Sequence, residues 1–169
     1  FPIHVGDFMT FRPLGSVGKK AKSGDIDLGV DVLELFDDGE INPEDLPTWN
    51  LNQKEWEEQV EKLTKRARTA TASEIGWKAF LQLLAKYINE NSDLIKVDEK
   101  KTGNGAMFSL FPQFNKEGEQ QDIGVQIDWM VGNLDYLMFS YFSDVPSEEE
   151  PLLKGLHRTQ LIHALILAK

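Results

Sequence analysis

Two aspartates one residue apart, Asp25 and Asp27, stand in a run otherwise suited to burial, Asp25-Ile26-Asp27-Leu28-Gly29-Val30-Asp31-Val32-Leu33. The aliphatic and β-branched content reads as a strand, and successive strand side chains point to opposite faces. Asp25 and Asp27 therefore share one face, and Ile26, Leu28, Val30 and Val32 share the other. Two carboxylates on a strand that buries its neighbours are costly unless a cation lies between them. The pattern points to a divalent-metal site. Just upstream, Gly15-Ser16 reads as a turn and Val17 to Gly24 as a loop rich in Lys, Gly and Ser. Such a turn ahead of a metal site suggests that the metal carries phosphate.

The remaining pattern sets an order of elements. Asp7 to Leu14 alternates weakly and reads as a first strand, and Asp25 to Leu33 as a second. Pro43 and Pro47 mark Ile41 to Asn50 as a loop. A helix is expected from an N-cap at Asn50 or Asn52 to about Arg68, with Trp56, Val60 and Leu63 on one face. A second helix, starting near Ser73-Glu74, carries a wide apolar face from Ile75 to Ile88. Leu94 to Asp98 is a short strand, Ala106 to Phe114 a long one whose Pro112 belongs near an edge, and Ile123 to Val131 the cleanest strand. Asn133 to Phe142 reads as a short helix and Leu153 to Lys169 as the last. This order argues for a single α+β domain over 1–169, a mixed β-sheet with helices packed on one side and a C-terminal helical segment from about 133.

Composition narrows the function classes. With 169 residues the chain is long enough for one domain with a sizeable core. It has no cysteine, which removes disulfides, thiolate metal sites and a thiol nucleophile, and fits a cytoplasmic protein. Its net charge of −10 argues against extensive non-specific nucleic-acid binding. A small anionic substrate carried with Mg²⁺ remains compatible, because the metal supplies the positive charge. No apolar run has membrane-spanning length and no basic-then-apolar leader is present, so no membrane partner is expected. Phe at position 1 is read as the start of a trimmed or processed chain with sequence upstream of it.

Asp128 extends the metal-site argument. It lies mid-strand between Ile127 and Trp129, the same apolar context as Asp27. If the two strands are neighbours, their backbones run about 4.8 Å apart and side chains on a shared face meet. Asp25, Asp27 and Asp128 would then converge. At an effective dielectric of about 20, each close pair repels by roughly 3 kcal/mol, a penalty that one or two divalent cations remove. Oxygen-only ligands favour Mg²⁺ or Mn²⁺.

Gly15-Ser16, a loop, Asp25-Ile26-Asp27 in an apolar strand and Ile127-Asp128-Trp129 on a later strand resemble the DNA polymerase beta-type nucleotidyltransferase superfamily. The run Lys22-Ser23-Gly24-Asp25-Ile26-Asp27-Leu28 is very similar to the Ser-Asp-Ile-Asp-Leu segment common there, and the resemblance covers roughly Phe8 to Val131. It implies Mg²⁺-dependent transfer of a nucleoside monophosphate from a nucleoside triphosphate to a hydroxyl acceptor such as an RNA 3′ end, a protein or a small molecule. Asp25 and Asp27 would hold both metal ions, and Asp128 the ion nearest the acceptor. Gly15 would allow close backbone approach to phosphate, and Ser16 would donate its hydroxyl and N–H. Lys19, Lys20 or Lys22 would touch the triphosphate as mobile charges, or form a solvated loop. The loop between Ser16 and Asp25 is slightly shorter than in many members and lacks their usual arginine. The helix that often precedes the first strand would fall upstream of Phe1.

Other readings stay open. The chain is alternatively a catalytically inactive nucleotide-binding or regulatory module of the same fold. Hydrolysis of a phosphate ester by an Asp-based site is disfavoured, because Asp25-Ile26-Asp27 lies too deep in an apolar strand. Asp31 is read as the strand's exit, and Gln126 shares a face with Asp128. Arg158 and His163 resemble the Arg-x4-6-His signature of RNase helical domains, but a helical bundle does not fit after Val131. His163 is read as a core or surface histidine, and His4 and His157 have no obvious partners. The four tryptophans read as core or half-buried aromatics.

Overall fold

The computed structural model describes residues 11–15, 25–141 and 166–167. Strand β1 (Arg12–Pro13) leads to β2 (Ile26–Asp31), a one-turn helix α1 (Val32–Leu35) and a 3-10 helix over Pro43–Trp49. Then come α2 (Gln53–Thr64), α3 (Ala72–Asn91), β3 (Lys96–Val97), β4 (Ala106–Phe114), β5 (Gln120–Gly132) and α4 (Leu134–Ser140). The strands form one five-stranded sheet in the order β1-β2-β5-β4-β3. Among the described residues only β2 and β5 run parallel, and the other pairs are antiparallel. The protein is a mixed α+β fold on an open sheet, as its element order implies.

Helix α3 supplies the core. Its start is fixed by a capping box: Thr71 accepts from the Glu74 N–H at 3.2 Å, and the Glu74 carboxylate accepts from the Thr71 N–H at 2.7 Å. Ile75, Ala79, Phe80, Leu84 and Ile88 are buried along its length. Phe80 stands edge-on to Phe36, Trp49 and Trp77 at centroid distances of 5.4, 5.5 and 5.6 Å. Met107 and Val131 pack against this cluster from the sheet, so α3 covers the face that carries the odd-numbered residues of β4 and β5.

The opposite face carries Asp27 and Gly29 on β2 with Asp128 and Met130 on β5. Helix α4 lies on this face. A Cβ on Gly29 would stand 3.0 Å from Leu134, and one on Gly132 would stand 3.6 Å from Leu137. Helices are therefore not confined to one side: the long α3 covers one face and the short α4 part of the other. The missing side chain of Gly29 makes room for α4.

Several boundaries differ from the sequence pattern for local reasons. The second strand stops at Asp31, whose carboxylate accepts from the Leu33 N–H at 3.1 Å and caps α1. Asp31 is thus the strand's exit. The proline-bearing segment is a 3-10 helix capped by Asn42, with Pro43 at its first position. Helix α2 is capped by Asn52, and α3 by Thr71 rather than near Ser73. Pro112 lies past the short β3, whose pairing with β4 ends at Leu110, so its missing N–H costs no bond on that side. Trp77 is buried, and Trp49, Trp56 and Trp129 are partly buried. The first strand before Phe11 and the helix over 153–169, Ile166 and Leu167 apart, lie outside the described residues, as do His4, His157, Arg158 and His163.

Candidate functional site

β2 and β5 are neighbours, and their parallel register sets Asp27 directly against Asp128, with Leu28 against Trp129 and Ile26 against Ile127. Partners across a ladder project to the same face. Asp128 is 6% exposed and Asp27 half-buried. On its other side Asp128 is paired with Phe108 of β4. The Gln126 side-chain amide, two residues back on the same face, donates to Asp128 Oδ1 at 2.7 Å. That bond fixes the orientation of the Asp128 carboxyl.

The opposite face of the same strands is pinned as well. Trp129 Nε1–H donates to Ser109 Oγ at 2.7 Å, and that hydroxyl donates to the Ile127 carbonyl at 3.1 Å. Phe11 packs edge-on against Trp129 at 5.2 Å. Asp128 therefore sits on a strand held from both neighbours and from its back face.

Gly15 comes to the same place. The Leu14 N–H donates to the Asp27 carbonyl at 2.9 Å, tying the end of β1 beside Asp27. Leu14 is fully buried against Gly29. The chain then turns at Gly15 with φ +56°, in the left-handed region that favours glycine. A Cβ there would stand 3.7 Å from Asp27 Oδ2 and 3.8 Å from the Tyr141 ring. The bend thus lies between a β2 carboxylate and the end of α4.

Asp25 is placed differently. It occupies an exposed bend one residue before β2 begins. Among the described residues no group of three His, Cys, Asp or Glu side chains is gathered closely enough to hold a metal ion. Asp27 and Asp128 are brought together, and the three-way convergence with Asp25 is not formed. Ser16, Lys19, Lys20 and Lys22 lie outside the described residues.

Comparison with protein-family models, curated proteins and solved structures finds no match for this chain. What the site can do therefore rests on its donor set. Two in-register carboxylates about 5 Å apart repel by roughly 3 kcal/mol at an effective dielectric of about 20. The pair offers hard oxygen donors and excess negative charge, which fits Mg²⁺ or Mn²⁺. No helix among the described residues is long and apolar enough to cross a membrane.

Phe108, Gln126 and Tyr141 are the site neighbours that sequence pattern left without a role. Gln126 is legible as sharing the face of Asp128, but its hydrogen bond is not. Phe108 reaches Asp128 through the β4–β5 register, and Tyr141 reaches Gly15 through the return of α4, and neither carries a local signal.

Proposed function

We propose that this protein is a Mg²⁺-dependent nucleotidyltransferase that moves a nucleoside monophosphate from a nucleoside triphosphate to a hydroxyl acceptor. The observation that carries the reading is the in-register Asp27–Asp128 pair beside the Gly15 bend, where an added Cβ would stand 3.7 Å from Asp27 Oδ2. An acidic pair beside a backbone turn free of side-chain bulk is what a metal-bound triphosphate requires. Asp27 and Asp128 would hold the metal, with Asp25 as the third carboxylate that the resemblance implies. When bound, Mg²⁺ lowers the pKa of the acceptor hydroxyl and offsets the charge developing on the phosphates.

The acceptor oxygen forms a bond to the α-phosphorus, and the α-phosphorus bond to the bridging oxygen breaks. Pyrophosphate leaves with that electron pair. Asp128, oriented by Gln126, is placed to take the hydroxyl proton. Gly15 and Ser16 would approach the phosphates through the backbone, with Lys19, Lys20 or Lys22 as mobile counter-charges. The acceptor is an RNA 3′ end, a protein or a small molecule, and a cytoplasmic setting goes with the reading.

The test is incubation with labelled nucleoside triphosphates, Mg²⁺ and RNA, protein or small-alcohol acceptors. Label transfer that disappears in Asp27→Ala is the expected result. No transfer together with no metal-dependent nucleotide binding would overturn the reading. The exposed position of Asp25 favours a second reading, a nucleotide-binding module without turnover. Thermal stabilisation by Mg²⁺ and nucleotide without pyrophosphate release would select it.

A further inference from the structure

A cleft of about 960 Å³ opens where β2 and β5 end, beside Val131 and Gly132 and flanked by α3. Its size suits a small molecule, and the carboxyl ends of adjacent parallel strands are a favoured place for ligands in open sheets. It is separate from the aspartate pair. Gly132 on its rim lies four residues beyond Asp128, about 13 Å along β5. The α3 residues that line it stand on the face opposite the carboxylates.

The charges around it are of both signs. Arg66 and Arg68 on the α2–α3 link and Lys78 on α3 line it, as do Asp38 and Glu40 on the loop after α1. Arg66, Arg68 and Lys78 have no acidic partner within 4.0 Å among the described residues, so their charges are not spent on an ion pair. Glu74 also lines the cleft, one of its oxygens accepting from the Thr71 N–H, and Asp38 Oδ1 accepts from the Glu40 N–H at 3.0 Å, which leaves Asp38 Oδ2 and the Glu40 carboxylate for a ligand. Trp77 Nε1–H donates to the Gly39 carbonyl at 2.9 Å, linking α3 to the loop that bears Asp38 and Glu40. The Lys78 stem lies along Gly103, where an added Cβ would stand 3.1 Å from Lys78 Cγ.

We propose that this cleft is a second binding site, for a nucleoside phosphate, with the phosphate on Arg66, Arg68 and Lys78 and the ribose hydroxyls on Asp38 and Glu40. Guanidinium groups meet phosphate through paired N–H donors, and the ammonium adds a point charge. Carboxylates accept the ribose hydroxyl protons, as acidic residues do in dinucleotide sites. The ligand is a free nucleotide or part of a single-stranded nucleic acid, which share this chemistry.

The experiment is calorimetric titration of the protein with ADP, and separately with a single-stranded RNA trinucleotide, in a chelator so that no divalent metal contributes. Binding is expected in the wild type and in Asp27→Ala alike, and to weaken with salt. It should fall about tenfold or more in Arg66→Glu/Arg68→Glu and severalfold in Lys78→Met, which keeps the stem against Gly103. Thermal unfolding of each variant checks folding. The 2′-deoxy form of ADP should bind more weakly than ADP, a difference that vanishes in Asp38→Asn/Glu40→Gln. The tighter of the two probes identifies the source. No metal-free binding of either probe, binding lost in Asp27→Ala, or binding indifferent to the Arg66, Arg68 and Lys78 changes would overturn the proposal. None of these results depends on nucleotidyl transfer.

Discussion

Asp27 and Asp128 are direct partners in a parallel strand pair of the sheet, so two carboxylates share a face with a single ladder spacing between them. Two like charges at that spacing repel, and the Gln126 amide donates to Asp128 Oδ1 at 2.7 Å. Asp128→Asn keeps the shape and removes the repulsion. The variant is expected to be more stable than the wild type by about 1 kcal/mol in chelator, below the Coulomb figure because Asp27 is half-exposed. Saturating Mg²⁺ should raise the wild-type melting temperature and leave the variant's nearly unchanged. Thermal unfolding with and without metal measures both.

Gly15→Ala separates the bend from the carboxylates. The contacts a Cβ would meet, at 3.7 and 3.8 Å, are ordinary, so the cost lies in the backbone at φ +56°. A left-handed conformation costs an alanine about 1 kcal/mol. Chemical denaturation should show that loss, with Gly15→Asn losing less because asparagine tolerates this region. If the bend grips phosphate, nucleotide affinity in Mg²⁺ falls further than the stability change explains.

Much of this was legible because it depends on local chemistry. The bounds of β4, Ala106–Phe114, follow from an apolar run between turn residues, and Asn52 marks the start of α2 as a capping residue should. Asp27 and Asp128 are each legible as carboxylates in apolar strands, and alternation places them on faces. Their meeting depends on β2 and β5 being neighbours, a tertiary choice no local pattern carries. Asp25 was expected with Asp27 by the same alternation, but the strand begins at Ile26, so alternation does not govern Asp25. The position of α4 depends on Gly29, which leaves room for Leu134. The start of α3 lies at Thr71 rather than at Ser73-Glu74, and Glu74 stands three residues on, the spacing a capping box needs.

The capping box gives α3 a pH dependence. The Thr71 backbone N–H, and then its hydroxyl, hold the Glu74 carboxyl below its ordinary pKa. A group depressed in the folded state contributes stability above its unfolded pKa and loses it as pH falls through the folded value. Wild-type stability should therefore decline on acidification more steeply than that of Glu74→Gln, which has no carboxyl to titrate there. At neutral pH, Thr71→Ala should cost about 1 kcal/mol, as loss of an N-cap does. Denaturation series across the acid range compare the two slopes.

Gly124 tests the β4–β5 pairing. A Cβ there would stand 2.7 Å from Leu110 Cδ1 and 3.0 Å from the Phe111 carbonyl oxygen. Leu110 is half-exposed and can rotate away, but the carbonyl belongs to the neighbouring strand and cannot. Gly124→Ala should therefore destabilise by about 1–2 kcal/mol, the range of an overpacked site. Adding Leu110→Ala should recover only part of the loss. Full recovery in the double variant would place the whole clash in the leucine side chain, and the backbone contact across the ladder would then carry no cost.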